Sequence, residues 1–276
     1  MSINPLVLIL AAAFLPATAL AEERCLASRP VTLDLDLGGA KAVVFEVNSH
    51  DLKLQAAPGA PGALSGRACA AREELLPQLS LSQRKVADKL VVTLERRTPG
   101  LNLSLGRDDY AYLDLSGTLP DTLLVQLKVG SGDARLSGAA AMSADVGSGD
   151  VSAQAIRGLV TAAVSSGDLD LQDIGPLHLL SLGSGDVKAG SVRGPARVGT
   201  VGSGDLELQG VQGPVSVDSI GSGDVDVRDV RGAVTLGRLG SGDLTVRDAD
   251  SLTVRQVGSG DIRHTGIRGA VAVPRH

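Results

Sequence analysis

Aromatic side chains are almost missing from this chain: two Phe, two Tyr and no Trp among 276 residues. That scarcity excludes sites that work by stacking, such as sugar platforms, single-stranded nucleic-acid grooves and aromatic cages. Positive charge is not in excess either. A net charge of −5 leaves no general attraction for DNA, RNA or anionic lipid. After the first 21 residues no run of about 20 apolar residues occurs, so the mature chain is expected to have no transmembrane segment. Glycine, by contrast, is abundant. There are 35 in 276 residues, against an average near 7%, and they lack the every-third-residue period of collagen. With 43% hydrophobic residues the chain is too apolar for simple disorder, and its core must come from Val, Leu, Ile and Ala.

Residues 1–21 read as a cleaved export signal. Leu6 to Leu15 is apolar, Pro16 breaks the run, and Ala19-Leu20-Ala21 supplies a small-x-small cleavage pattern. The segment before the apolar run carries no Lys or Arg. Glu22-Glu23-Arg24 before Cys25 is not the small-residue sequence that lipidation needs. The two cysteines, Cys25 and Cys69, are expected to form one disulfide in an exported chain, stapling the N-terminal third.

One phrase recurs along the rest of the chain. Gly130-Ser131-Gly132-Asp133 is followed by the same four residue types at 147–150, 183–186, 202–205, 221–224, 240–243 and 258–261, with Ser165-Ser166-Gly167-Asp168 as a variant. Successive starts differ by 17, 18, 18, 19, 19, 19 and 18 residues, a repeat architecture. After each Asp, apolar and polar residues alternate, as in Leu206-Glu207-Leu208 and Val225-Asp226-Val227. That is a strand with one face buried. A corner column follows at Ile156, Ile174, Val192, Val211, Val230 and Ile267. A second strand carries pairs such as Val215 and Val217, and a third inward column falls at Val164, Leu182, Val201, Ile220, Leu239 and Val257. Six small apolar side chains cannot hold one repeat together alone. Stacked repeats can, through a shared main-chain ladder, and this predicts an all-β, parallel β-solenoid with coils of 18–19 residues.

Stacking also creates a column of carboxylates: Asp133, Asp150, Asp168, Asp186, Asp205, Asp224, Asp243 and Asp261. Unit charges about 4.8 Å apart repel by roughly 1 kcal/mol in water and about 3–4 kcal/mol at an effective dielectric of 20. Either turn N–H groups and Ser hydroxyls offset this, or cations do. The first reading makes the tetrad a turn cap, with Gly required by positive φ or by crowding between coils. The second makes these eight Asp a calcium site, although Asp follows Gly directly and there is one Gly-rich turn per coil, unlike the calcium-binding nonapeptide repeat. Capping is the expectation, calcium the alternative, and no other cofactor is implied. A second corner carries Arg157, Arg193, Arg231 and Arg268, each followed by Gly, and these Arg are expected to pair with nearby Asp such as Asp229 or Asp248.

No catalytic constellation accompanies these turns. His50, His178, His264 and His276 have no metal-ligand spacing, and no nucleophile elbow or phosphate-binding loop occurs. His264 takes an inward slot in the last repeat. The expectation is a protein that is not an enzyme; a polysaccharide-acting β-helix enzyme, the third alternative, would need a cleft that coils without insertions do not build. Residues 22–112 lack the tetrad yet contain strand-like runs, Val31 to Leu37 and Leu90 to Leu94, and are expected to form an N-terminal β-rich cap with irregular early coils before a solenoid at 113–276.

The tandem Gly-Ser-Gly-Asp-apolar-x-apolar unit, preceded by Leu119-Pro120 and an apolar strand to Val129, resembles bacterial exported β-strand-repeat proteins related to the auto-transporter adhesin head GIN domains. The likeness is close over 110–276 and loose before it. It implies a right-handed β-helix and an adhesin-like, non-enzymatic role, and it brings no catalytic residues. The expected place is the periplasm, with the cell surface or secretion as alternatives. The expected partner is an envelope protein or a cell-surface polymer.

Overall fold

The computed structural model describes residues 25–97 and 109–274; the export signal expected at 1–21 lies outside them. The strands in chain order begin with β1 (Ala27–Asp34), β2 (Ala42–Asn48), β3 (Asp51–Ala57), β4 (Ala63–Ala70), β5 (Leu79–Val86), β6 (Lys89–Arg96) and β7 (Ala111–Pro120). They continue with β8 (Leu124–Val129), β9 (Ala134–Ser137), β10 (Ala141–Val146), β11 (Val151–Ile156), β12 (Val160–Val164) and β13 (Leu169–Ile174). From β8 onward, each tetrad joins a strand of one sheet to a strand of the other. Sheet I runs β1-β4-β7-β3-β9-β11-β13 and on to Ile262–Thr265; sheet II runs β5-β6-β2-β8-β10-β12 and on to Val271–Ala272. Among the described residues each sheet has 12 strands, and all pairings beyond β8 are parallel. This is the parallel β-solenoid that the repeat period predicts.

Register explains how a small-residue core closes. Val151 lies over Leu169, Ala153 over Leu171, and Ile156 over Ile174, so like positions stack on like. The inward columns named above are buried from Ile156 to Val230 and from Val164 to Leu239. Ile156 lies three positions after Ala153, an offset that simple alternation would send to the opposite face. A left-handed residue resolves the phase: Ala155 (φ 56°), Asp173 (53°), Ser191 (55°), Gly210 (70°), Asp229 (55°) and Asp248 (57°) each precede the inward corner residue. One left-handed step turns the strand and brings the corner side chain back inside.

The stack starts earlier than the tetrads do. β2 and β3 lie directly beneath β8 and β9, with Phe45 paired to Leu127 and Leu54 to Leu136. The turn between them, Asn48-Ser49-His50-Asp51, occupies the tetrad position. The chain leaves the stack after Ala57, builds a cap, and returns at Leu124. In the cap, β7 pairs parallel with β3 but antiparallel with β4, and β4 is antiparallel to β1; on the other sheet β5 and β6 form an antiparallel pair. Pro30 sits in the edge strand β1, where a missing N–H blunts further pairing. Cys25 and Cys69 form the expected disulfide, tying the start of β1 to buried Cys69 in β4. At the other end the final coil is open, and His264 is exposed there in its inward slot.

Candidate functional site

The tetrad is main-chain architecture. The second Gly of each turn is buried, and none of the tetrad glycines has positive φ. A Cβ at Gly132, Gly149, Gly167, Gly185, Gly204, Gly223, Gly242 or Gly260 would lie 1.8–2.0 Å from a carbonyl oxygen of the turn below. Crowding, rather than backbone handedness, demands Gly at this position. The first Gly is less constrained, with carbonyl distances of 2.2–2.9 Å, and Ser165 and Asn48 occupy its place in two turns. The turn N–H groups bond downward, as in Ser203 to Gly183 (2.8 Å) and Gly204 to Gly183 (3.0 Å).

The carboxylates continue that ladder. The N–H of each Asp donates to Oδ1 of the Asp one coil below: Asp186 to Asp168 at 2.9 Å, Asp224 to Asp205 at 3.0 Å, Asp243 to Asp224 at 2.9 Å. The same bond links Asp133 to Asp51 and runs through Asp150, Asp168, Asp205 and Asp261. Asp51 therefore heads a column of nine. At the far end, the Arg263 guanidinium, reinforced by the Asp261 N–H, holds the Asp243 carboxyl below the usual carboxylate range. The hydroxyl bond described within the Ser column joins Ser222 to Ser241 rather than a carboxylate. A shallow hollow of about 260 Å³ runs over Asp133, Asp150, Asp168 and Asp186. Among the described residues no three His, Cys, Asp or Glu are grouped to hold a metal ion.

The Arg corner pairs differently from the expectation. Arg157 meets Asp121 (3.0 Å), Arg193 meets Asp173 (2.9 Å), and Arg268 meets Asp250. Asp229 and Asp248, like Asp173, hold left-handed corner positions, and among the described residues no ion pair joins either of them to these Arg. Arg193 and Arg268 also reach two coils down to the carbonyls of Ile156 and Val230, so these side chains staple neighbouring coils.

His50 is the fully buried member of the turn column, 0% exposed. It can carry a side chain where other turns need Gly because no tetrad lies beneath it. Its Nδ1 instead accepts the Leu113 N–H of β7 at 3.2 Å. This places the proton of the neutral ring on Nε2, which is buried without a hydrogen-bond partner. Burial, with the Arg96 charge adding to it, pushes the imidazole down to about 4 from an ordinary value of 6.5. Between pH 6.5 and about 4 the unfolded chain binds a proton that the folded chain refuses. Stability is therefore expected to fall as pH drops through that window, by about 3 kcal/mol from this residue. Urea unfolding of wild type and His50→Gly across the window checks it: the difference between their pH curves should carry this slope, and parallel curves would refute the assignment.

A larger hollow lies on the outer face of sheet I, where the cap meets the first coils. It measures about 670 Å³ and crosses β4, β7, β3, β9, β11 and β13. Alternation places two rows of side chains on this face. One is Ser116, Lys53, Arg135, Ser152 and Asp170; the other is Thr118, Gln55, Ser137, Gln154 and Gln172. Lys53 pairs with Asp114 at 3.8 Å, Thr118 bonds the Pro61 carbonyl, and Gln172 bonds Ser191. Among the described residues Arg135 has no ion pair, and Gln55, Ser137 and Gln154 make no side-chain hydrogen bond. Reasoning from sequence missed this site. Its one legible trace is Gln four residues after the turn Asp, at 55, 154, 172 and 209.

A long parallel solenoid, closed at one end by antiparallel strands and open-faced along its sides, is the architecture of a repeat scaffold. Residues 151–267 match the model of the family described as "Putative auto-transporter adhesin, head GIN domain". Among solved structures, a "Putative lipid binding protein" from Parabacteroides distasonis is similar at 18% identity and TM-score 0.56, covering 86% of this chain and 96% of its own. A "putative adhesin" from Bacteroides fragilis is similar at 14% identity and TM-score 0.47, covering 86% and 97%. The first likeness shows the shared fold. No curated protein matches the chain. Among the described residues no helix is long and apolar enough to cross a membrane.

Proposed function

We propose that this protein is a non-enzymatic, adhesin-like binding module of the cell envelope, exported by residues 1–21 and working in the periplasm. In this reading, residues 22–112 form the cap, 113–276 carry the tetrad coils, and the coil at 42–57 joins them. The observation that carries it is the hollow on sheet I, whose side chains are fixed by strands on a rigid stack and are left with unused hydrogen-bonding capacity. The family description, which speaks of an adhesin, supports the same reading. The turns and corners are consumed by architecture, which leaves the sheet faces for partners.

Retention of labelled protein on purified Gram-negative envelopes tests this. The Gln154→Ala/Gln172→Ala double variant removes two exposed side chains and should bind roughly 30-fold more weakly, as loss of about 1 kcal/mol per hydrogen bond implies. Thr253→Ala, on the exposed face of sheet II, should bind like wild type. Equal retention of all three would move the working face elsewhere; no retention of wild type would sink the binding-module reading.

A further inference from the structure

The chemistry of this face selects among partners. We infer that the sheet I hollow takes a neutral, linear glycan lying along the solenoid axis, held edge-on through its hydroxyl groups. The inference rests on the reading that this face is the binding face. The row Thr118, Gln55, Ser137, Gln154 and Gln172 carries no charge, and it repeats once per strand, about every 4.8 Å, a step close to the length of one sugar ring. Amides and hydroxyls both donate and accept, as sugar hydroxyls do. The lining contains no aromatic residue, so sugar rings are not stacked; their edges are read instead.

Other partner classes fit less well. Arg135 and Asp170, two strands apart, oppose each other in sign, so a polymer of uniform charge meets repulsion at one of them. An acyl chain fits less well, because Leu54, Leu136 and Ala153 beneath the rows are only 4%, 2% and 4% exposed and the rows above them present amides, hydroxyls and charges. An extended peptide binds a sheet through an open edge, whereas here β3, β9 and β11 have partners on both sides.

The probes are neutral hexasaccharides of glucose, mannose and galactose, a hexagalacturonate, and phosphatidylcholine vesicles, each titrated into the full chain by calorimetry. A neutral hexasaccharide should bind wild type and Thr253→Ala alike, and Gln154→Ala/Gln172→Ala roughly 30-fold more weakly. Both variants change exposed residues, and unchanged melting midpoints confirm that they fold. If hexagalacturonate or vesicles bind while every neutral sugar fails, the glycan class assigned here is overturned. Undiminished sugar binding by the double variant overturns the site. If no probe binds, yet envelope retention still depends on Gln154 and Gln172, the glycan is wrong and the binding face stands. If envelope retention is also absent, both fall.

Discussion

Gly204→Ala is expected to destabilise the protein by about 3–5 kcal/mol, near the upper end of single substitutions, and Gly202→Ser by only about 1 kcal/mol. The two positions lie in one turn, two residues apart, and both begin as glycine, so propensity barely separates them. Space does. A methyl group on Gly204 would lie 1.9 Å from the Gly185 oxygen, and Gly185 is itself held by the turn beneath it. Relief requires lifting one coil off another, which breaks turn bonds such as Ser203 to Gly183 and Asp205 to Asp186. At Gly202 the corresponding distance is 2.8 Å, and the natural Ser165 shows that a hydroxymethyl group fits that place. Urea unfolding of both variants measures the difference; similar losses would show that crowding does not set the glycine pattern.

Reduction of the Cys25–Cys69 disulfide is expected to lower the stability of the capped end by about 4 kcal/mol, the chain-entropy value for a closed loop of 44 residues. The effect is local in origin. Among the described residues β1 is the outermost strand of sheet I, it pairs only with β4, and most of its residues are exposed. Without the bridge, main-chain bonds to one neighbour and the packing of Ala27, Val31 and Leu33 must hold it. Hydrogen exchange with and without reductant should show β1 amides losing protection first, while amides of the coils beyond residue 130 keep theirs. Unchanged β1 protection after complete reduction would mean that pairing with β4 suffices.

The solenoid was legible because each coil repeats one inward code, and stacking places Val151, Leu169 and Val187 in one column. The first coil was not. Its turn reads Asn48-Ser49-His50-Asp51, since His50 faces β7 rather than another turn, and the cap separates it from its neighbour in the sequence. The left-handed corner was hidden for a different reason: Ala, Asp and Ser hold most of those positions, and glycine marks only some of them, such as Gly210. The hollow on sheet I depends on non-sequential pairing. β3 is sandwiched between β7 and β9, which no local pattern announces, and only the recurring Gln hints at the face that results.

The central claim is that the repeated Asp is a hydrogen-bond acceptor for the next coil, so the turns build the scaffold and binding belongs to the sheet face. Thermal melting in millimolar calcium and in chelator tests this most directly. A ligand present at about 100 times its dissociation constant adds about 2.7 kcal/mol, which shifts melting by several degrees in a chain of this size. The account predicts coincident midpoints; a rise of several degrees with calcium would contradict it and return the Asp column to the role of a metal site.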